Sequence, residues 1–160
     1  MLTQEELKRI LKYDPITGQF RWKVKLSNRV HVGDVASCKN KGGYIVIRIN
    51  YKLYRANRLA WLYMMGEWPK EHIDHINGTA YDDRWCNLRQ VSRSQNLQNS
   101  KKKYCKNGYK GTYKVGDKWY SRIMADRVDI CLGTYNTEEE AYAAYCEASK
   151  KYHGEFGRIN

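Results

Sequence analysis

The stretch from His72 to Asn99 constrains the fold of this chain more than any other segment. An Asp-His pair, Asp74 and His75, is followed by an Asn-Gly dipeptide at 77–78. Because Asn-Gly is a strong signal for a tight turn between strands, we expect a β-hairpin that starts just after the histidine. A polar loop leads on to a second short apolar-polar segment, and we expect a helix after Ser92 that returns its polar side chains to the hairpin.

The residue types in this stretch suit the hydrolysis of a phosphodiester. A neutral histidine accepts a proton from water, and a divalent cation stabilises both the phosphate and the leaving oxygen. Mg²⁺ prefers oxygen ligands and keeps several waters, so one carboxylate and one amide carbonyl suffice. Asp74, His75 and either Asn96 or Asn99 supply these groups. Since neighbouring residues of a regular strand point to opposite faces, the first two share a site only where the strand ends.

A zinc site is an alternative use of the same region. His72 and His75 are spaced three apart, and Cys86 and Cys105 follow them. These spacings fit no standard zinc knuckle, and no Cys-x-x-C pair is present. By spacing alone, the Asp-His pair is also compatible with a structural histidine.

The residues before this stretch are patterned as a mixture of helix and strand. Thr3 with Glu6 is the signature of a capping box, which predicts a helix from about 3 to 12 that Asp14-Pro15 stops. Alternation and turn residues predict the remaining elements: strands at 19–23, 44–49 and 52–54, a short strand near 34–37, and a helix over 55–65 ended by Gly66.

Charge points to a polyanionic partner. The formal net charge is +12, from 29 Lys and Arg against 17 Asp and Glu, and nucleic acid is the leading candidate. A lysine-rich run over 97–118 separates two patterned regions and predicts a linker that lies along a phosphate backbone. A solvated tether without a partner is the alternative.

The residues after this run predict a small module of three strands and one helix. The strands are expected at 110–114, 118–124 and 128–132. Thr137 and Glu140 form a second capping-box signature, and the helix should end before Gly154. Such a module has a thin core.

Cysteine usage and hydropathy bear on the compartment. The five cysteines form no Cys-x-x-C pair, and the N-terminal residues are polar, so we expect free thiols in a reducing cytoplasm. No apolar run approaches the roughly 18 residues of a membrane span, so no membrane partner is expected.

Residues 1–100 resemble the HNH endonuclease family, in particular its homing enzymes of phage and intron type. The segments that carry the resemblance are Arg-Leu-Ala-Trp at 58–61, Gly-Glu-Trp-Pro at 66–69, Ile-Asp-His-Ile-Asn-Gly at 73–78, Asn-Leu-Arg at 87–89 and Arg-Ser-Gln-Asn at 93–96. The resemblance implies a ββα-metal core at about 44–100, in which two strands and a helix surround one Mg²⁺ or Mn²⁺ ion, behind an N-terminal β-rich extension. The fold class would be α+β.

The HNH resemblance also implies roles for single residues. His75 would be the general base, Asp74 and Asn96 would hold the metal, and Asn87 would hold the loop that positions the histidine. Asn99 is the alternative metal ligand if the helix register differs by one turn. Further implied assignments are phosphate contacts at Arg84, Arg89 and Arg93 and turn roles at Asn77 and Asp82. One departure is Asn57 before Arg58, where many relatives carry His-Arg.

Residues 108–160 resemble the AP2 DNA-binding domain. The segments that carry the resemblance are 108–112, 118–123, 132–135, 137–141, 143–145 and 153–156. The resemblance implies a three-stranded antiparallel sheet in the DNA major groove, backed by a helix. Alternation assigns Trp119, Ser121 and Ile123 to the core face of the sheet. The expected DNA contacts are Lys110, Tyr113, Lys114, Tyr120, Arg122, Met124 and Arg127 here, with Lys101, Lys102 and Lys103 in a basic linker at 101–107.

Together these features predict a sequence-directed DNA endonuclease of homing type. Recognition and cleavage would lie in separate modules, and the partner would be double-stranded DNA, bound by a monomer with a dimer possible. A non-catalytic DNA-binding regulator that uses the AP2-like module is the alternative function. A zinc-organised protein that binds RNA or the ribosome is the third.

Overall fold

The computed structural model describes residues 1–99, 108–157 and 159, which form two compact units. The first unit is Met1–Ser92 and the second is Arg93–Asn160. The predicted linker at 101–107, which carries the expected DNA contacts Lys101, Lys102 and Lys103, lies outside the described residues. Both units mix helices with antiparallel strands, so the fold class is α+β as predicted.

The first unit contains two helices and seven strands among its elements. In chain order these are α1 (Gln4–Ile10), β1 (Leu11–Asp14), β2 (Gln19–Trp22), β3 (Cys38–Lys39), β4 (Ile45–Ile49), β5 (Lys52–Arg55), α2 (Ala56–Met65), β6 (His72–His75) and β7 (Leu88–Val91). They form the β1–β2 hairpin, the β3–β4–β5 sheet and the β6–β7 hairpin, all antiparallel.

The first helix is shorter than its sequence predicts. Thr3 caps it as expected, because its Oγ1 accepts a hydrogen bond of 3.2 Å from the Glu6 backbone N–H. Residues 11–14 then form β1 rather than another helical turn. Leu11 and Tyr13 are buried while Lys12 between them is exposed, and this period of two belongs to a strand.

The other predicted elements of the first unit are confirmed with small shifts. The strand expected near 34–37 is reduced to one bridge between Arg21 and Val35, and β3 follows it at 38–39. The β4–β5 hairpin and α2 lie where alternation and periodicity placed them. Gly66 ends α2 with φ +85°, a left-handed conformation that glycine adopts without steric cost.

The core of the first unit joins α1, α2 and the β1–β2 hairpin. Leu7, Leu11 and Leu59 are completely buried, and Phe20 is nearly so. The Phe20 and Tyr13 rings pack with centroids 4.8 Å apart, which ties β1 to β2 across the hairpin. Each such buried side chain contributes about 1.5–3 kcal/mol of transfer free energy.

In its described residues, the second unit contains two α-helices and a three-stranded antiparallel sheet. Its elements are α3 (Arg93–Gln98), β8 (Thr112–Val115), β9 (Lys118–Ala125), β10 (Val128–Tyr135) and α4 (Glu138–His153). The strand order is β10–β9–β8. The predicted three strands and helix are confirmed, and the capping box of Thr137 and Glu140 is complete.

Helix α4 covers one face of this sheet. Ser121 and Ile123 of β9 are buried, whereas Arg122 and Met124 between them are exposed, as alternation predicted. Tyr145 of α4 is buried in the same hydrophobic cluster as Ile123. The sheet therefore has one face packed on the helix and one open face.

Two further features concern the cysteines and the hydropathy of the helices. Cys38, Cys86, Cys131 and Cys146 are free thiols, and Cys105 lies outside the described residues. Across residues 1–99, 108–157 and 159, no helix has the length and hydropathy that a membrane span requires.

Candidate functional site

Asp74 and His75 are the last two residues of β6. Strand β6 pairs with β7 so that Asp74 lies opposite Arg89 and His75 lies opposite Leu88. The chain turns immediately after His75, where the Gly78 backbone N–H donates a hydrogen bond of 2.7 Å to the His75 carbonyl. The pair thus lies at a strand end, which is where neighbouring side chains can serve one site.

The Asp74 carboxylate is buried and paired with Arg89. Both Nε and a terminal guanidinium nitrogen of Arg89 lie 3.1 Å from Asp74 Oδ2. A buried carboxylate requires such a partner, because desolvation of an isolated charge is costly. Arg89 was predicted to contact phosphate; here its side chain is mostly buried and neutralises Asp74.

The His75 imidazole is held by a carboxylate that the sequence patterns did not indicate. His75 Nε2 lies 2.8 Å from Asp83 Oδ1, and both side chains are buried. Burial raises the pKa of the Asp83 carboxyl, and the hydrogen bond from His75 opposes that shift. The sequence signal was a pair of adjacent acids in the loop, Asp82 and Asp83, which by itself does not show which one faces inward.

Asn87 connects the two ends of the loop between β6 and β7. Its Oδ1 accepts 3.0 Å from the Asn77 backbone N–H, and its Nδ2 donates to Asn77 Oδ1 at 3.1 Å. The same Nδ2 donates 2.8 Å to the carbonyl of Asp82. This is the geometry that a loop-holding residue requires.

Asp82 organises the exposed side of the loop. Arg84 donates to its two oxygens at 2.7 and 2.6 Å, and Asn77 Nδ2 donates at 2.7 Å. Hydrogen bonds from Arg84 lower the pKa of Asp82 to about 2. Asn77 and Asp82 are therefore turn residues, as predicted. Arg84, a predicted phosphate contact, engages Asp82 with about half of its side chain exposed.

The β1–β2 hairpin supports this loop from behind. The Tyr13 hydroxyl donates 2.6 Å to the Asp83 carbonyl, and the Trp85 N–H donates 3.0 Å to the Pro15 carbonyl. Gly18, at φ +73°, lies so close that an added Cβ would be 2.5 Å from the backbone of Asp83 and Arg84. No sequence signal indicated this support.

Asn57, the departure from the HNH pattern, lies beside β6. It is buried, and its Nδ2 donates to the Ile73 carbonyl at 3.4 Å. Arg58 donates to the carbonyls of Glu71 and Pro69 at 3.2 Å each, which anchors the segment leading into β6. Both residues therefore position the strand that carries Asp74.

The predicted metal ligand Asn96 lies in α3 of the second unit. It is half-buried, and Arg93 begins the same helix. Asn99, the alternative ligand, follows α3 and is buried, with its N–H donating 3.2 Å to the Gln95 carbonyl. The choice between the two asparagines remains a prediction.

The zinc alternative gains no support from the part of the chain that the structure describes. Within it, no three His, Cys, Asp or Glu side chains are grouped to hold a metal. His72 is exposed and His75 is buried, although both lie in β6. Cys105, the fourth residue of that set, lies outside the described residues.

The open face of the second unit carries part of the predicted DNA-contact set. The Arg122 guanidinium lies 4.7 Å from the Tyr113 ring centroid and 2.7 Å from Asp129 Oδ2. Met124 is 63% exposed, which places an apolar side chain in contact with solvent on this face. Lys110, by contrast, donates 2.6 Å to the Gln98 carbonyl.

Comparison with known proteins bears on the β6 region. Residues 54–98 match the model of a family described as HNH endonuclease. The matched segment runs from β5 to the end of α3 and contains Asp74, His75 and Asn96, whereas Asn99, the alternative ligand, lies one residue beyond it.

The chain also has a limited structural similarity to a solved structure described as DNA binding and cleavage by the HNH homing endonuclease I-HmuI. The identity is 22% and the TM-score 0.44, over 56% of this chain and 51% of that one. The chain thus spans about half the length of that enzyme. No curated protein matches the present chain by sequence.

Proposed function

We propose that this protein is a metal-dependent DNA endonuclease of homing type. The observation that carries the proposal is the strand end of β6, where the paired Asp74 carboxylate precedes the oriented His75 imidazole. That strand end lies within the segment that matches the HNH endonuclease family. The proposed substrate is the phosphodiester backbone of double-stranded DNA.

The donor types at the site fit a hard divalent cation. Asp74 would hold Mg²⁺ or Mn²⁺ through a carboxylate oxygen, and Asn96 would add an amide oxygen from α3. When bound, the cation stabilises negative charge on the phosphate and on the leaving 3′ oxygen. Arg89 keeps the carboxylate in place and balances its charge.

The chain's own side chains divide the remaining work. His75 accepts the proton of the attacking water. Asn87 keeps the loop closed, so that the histidine stays at the strand end. With one histidine and one cation, a monomer cuts one strand in each binding event, and a double-strand break needs a second event or a dimer.

Residues 108–160, within the second unit, form the proposed recognition module. Its open sheet face would enter the major groove in the manner of an AP2 domain, with Tyr120, Arg122 and Met124 toward the bases. Arg122 would exchange its exposed ion pair with Asp129 for contacts with DNA. The remaining proposed contacts are Arg84, Arg93, Lys101, Lys102, Lys103, Lys110, Tyr113, Lys114 and Arg127.

The test is cleavage of plasmid carrying the target DNA with Mg²⁺ or Mn²⁺. We expect His75→Ala to lose at least about 100-fold in rate, the usual contribution of a general base. His72→Ala is the matched control, because it removes an exposed histidine from the same strand. Equal cleavage by the wild type and His75→Ala would contradict the proposal. DNA binding without metal-dependent nicking would support the regulator instead.

Asp74→Asn tests the metal role separately. The substitution keeps the side-chain shape and an acceptor for Arg89 but removes the charge that attracts a cation. We expect metal-dependent cleavage to be lost while DNA binding, measured by fluorescence anisotropy, is kept. Loss of DNA binding in a folded variant would instead make Asp74 a structural residue.

A further inference from the structure

We propose that Asp83 is a positioning residue that holds His75 as the tautomer with its proton on Nε2, so that Nδ1 is the nitrogen that accepts the proton from water. This inference rests on the proposed function, because it assigns a role within the same site. It adds a residue that neither the sequence patterns nor the HNH resemblance selected.

The contact that supports it is short and buried. Asp83 Oδ1 lies 2.8 Å from His75 Nε2, and the two side chains are 3% and 5% exposed. Water therefore does not replace either partner. A hydrogen bond at that depth sets the orientation of the imidazole ring, since the ring loses its partner if it rotates.

The chemistry of the partners selects the tautomer. An ionised carboxylate has acceptors and no donor, so the nitrogen facing it carries the hydrogen. In a neutral imidazole the other nitrogen then holds the lone pair. Carboxylates behind catalytic and metal-binding histidines act in this way in other sites.

The carboxylate is itself held by the backbone behind it. The Tyr13 hydroxyl donates a hydrogen bond to the Asp83 carbonyl. Two residues further along the chain, the Trp85 backbone N–H donates a hydrogen bond to the Pro15 carbonyl. Gly18 lies so close that an added Cβ would be 2.5 Å from the Asp83–Arg84 backbone. These contacts leave the Asp83 side chain little freedom to turn away from the imidazole.

The neighbouring acid does not share this role. Asp82 is bound by Arg84 and Asn77 on the exposed side of the loop. The two carboxylates are adjacent in sequence but serve different partners. A substitution of Asp82 should therefore not reproduce the effect that a substitution of Asp83 has on His75.

The first experiment reads the tautomer in the metal-free full-length protein. Long-range ¹H–¹⁵N correlation spectra of the neutral imidazole report which nitrogen of His75 carries the hydrogen. We expect Nε2–H in the wild type and in Asp34→Asn, a control that loses one exposed carboxylate. Asp83→Asn can donate from its amide to Nε2 and should move the hydrogen to Nδ1. A wild type with Nδ1–H would overturn the inference.

The second experiment measures cleavage kinetics of the same variants. We expect Asp83→Asn to lower kcat by about 100-fold or more, with the KM for DNA within about twofold of wild type. A purely structural ion pair would instead lower the folded fraction and leave kcat of the folded protein unchanged, which would overturn the inference. The tautomer is read without substrate, so a wild type that cleaves no DNA would count against the proposed function and leave the role of Asp83 to be decided by the spectra.

Tyr13→Phe covers the case in which Asp83→Asn fails to fold. It removes the hydroxyl that holds the Asp83 carbonyl and leaves both members of the hydrogen bond unaltered. We expect a smaller loss of kcat, roughly tenfold, with unchanged KM for DNA. A wild-type kcat in Tyr13→Phe together with an unfolded Asp83→Asn would overturn the inference.

Discussion

Asp82 and Asp83 are adjacent in one loop but have different environments. Asp82 receives Arg84 on the exposed side, and those hydrogen bonds lower its pKa to about 2. Asp83 is buried against His75, and burial raises its pKa. The first carboxylate stabilises the loop as an anion, and the second is available to orient the imidazole.

The low pKa of Asp82 predicts a specific loss of stability in acid. Its pKa in the folded protein, about 2, is below the ordinary value of 3.8. The stabilisation is therefore present above about pH 4 and is lost as the pH falls toward 2. Because the pair is partly solvated, we expect about 1 kcal/mol. The measurement is the free energy of unfolding in urea at both ends of this range. In Asp82→Asn, the free energy of unfolding should fall by about 1 kcal/mol less over this pH range than in the wild type. An equal fall in both proteins would contradict the stabilising role of the Asp82 carboxylate.

At this scale the sequence indicates the proposed reactive pair more readily than the residues that contact it. Asp74 and His75 are selected from residue types and from the turn beside them, and Asn87 is selected through the HNH resemblance. Asp83 is not, because its role depends on which way a twelve-residue loop between β6 and β7 folds. The pairing of Arg89 with Asp74 required the register of the hairpin.

At the scale of elements, the β1–β2 hairpin is more than an N-terminal extension. It completes the core of the first unit through Phe20, and it contacts the loop that carries Asp83. The closest approach is at Gly18, where the chain needs both a positive φ and the absence of a side chain.

Gly18→Ala is predicted to destabilise the first unit more than Gly33→Ala. Both glycines have positive φ, +73° and +92°, so both substitutions strain the backbone by about 1 kcal/mol. At Gly33 nothing lies within 4 Å of an added Cβ, whereas at Gly18 it would meet backbone at 2.5 Å. We expect a further cost of about 1–3 kcal/mol there, measured by urea unfolding. Equal costs would contradict the close approach.

The capping box of α4 gives a separate prediction in the second unit. Thr137 Oγ1 accepts from the Glu140 N–H at 3.2 Å, and the Glu140 carboxylate accepts from the Thr137 N–H at the same distance. Thr137→Ala should cost about 1 kcal/mol of unfolding free energy. Thr134→Ala, an exposed residue of β10, is the control and should change it by less than about half of that. A cost no larger than the control's would show that the cap is not used.

Local signals explain why the second unit was predicted more closely than the first. Strand alternation and a capping box are encoded within a few residues, so β8, β9, β10 and α4 follow from the sequence. In the first unit, α1 ends early because Leu11 and Tyr13 pack as alternate strand residues against β2. That preference arises from tertiary packing, which outweighs helix propensity at such positions.

At the scale of the whole molecule, charge gives the clearest prediction. With a net charge of +12 and the proposed contacts in both units, we expect six to eight Lys and Arg side chains to neutralise phosphates. Affinity for duplex DNA should then fall by about 10³-fold or more between 50 and 200 mM salt. Fluorescence anisotropy of labelled DNA over that range is the measurement. A flat response would contradict the proposed phosphate contacts.

The contact between Tyr13 and Asp83 spans 70 residues of chain, and this separation has a consequence for folding kinetics. Contacts so distant in sequence form late, because a long loop must close before they contribute any stability. The β6–β7 hairpin needs much shorter loop closure and can form earlier. In the proposed enzyme, the imidazole is therefore oriented only after the N-terminal hairpin has docked. Partly folded chains would bind DNA through their charge but would not cut it.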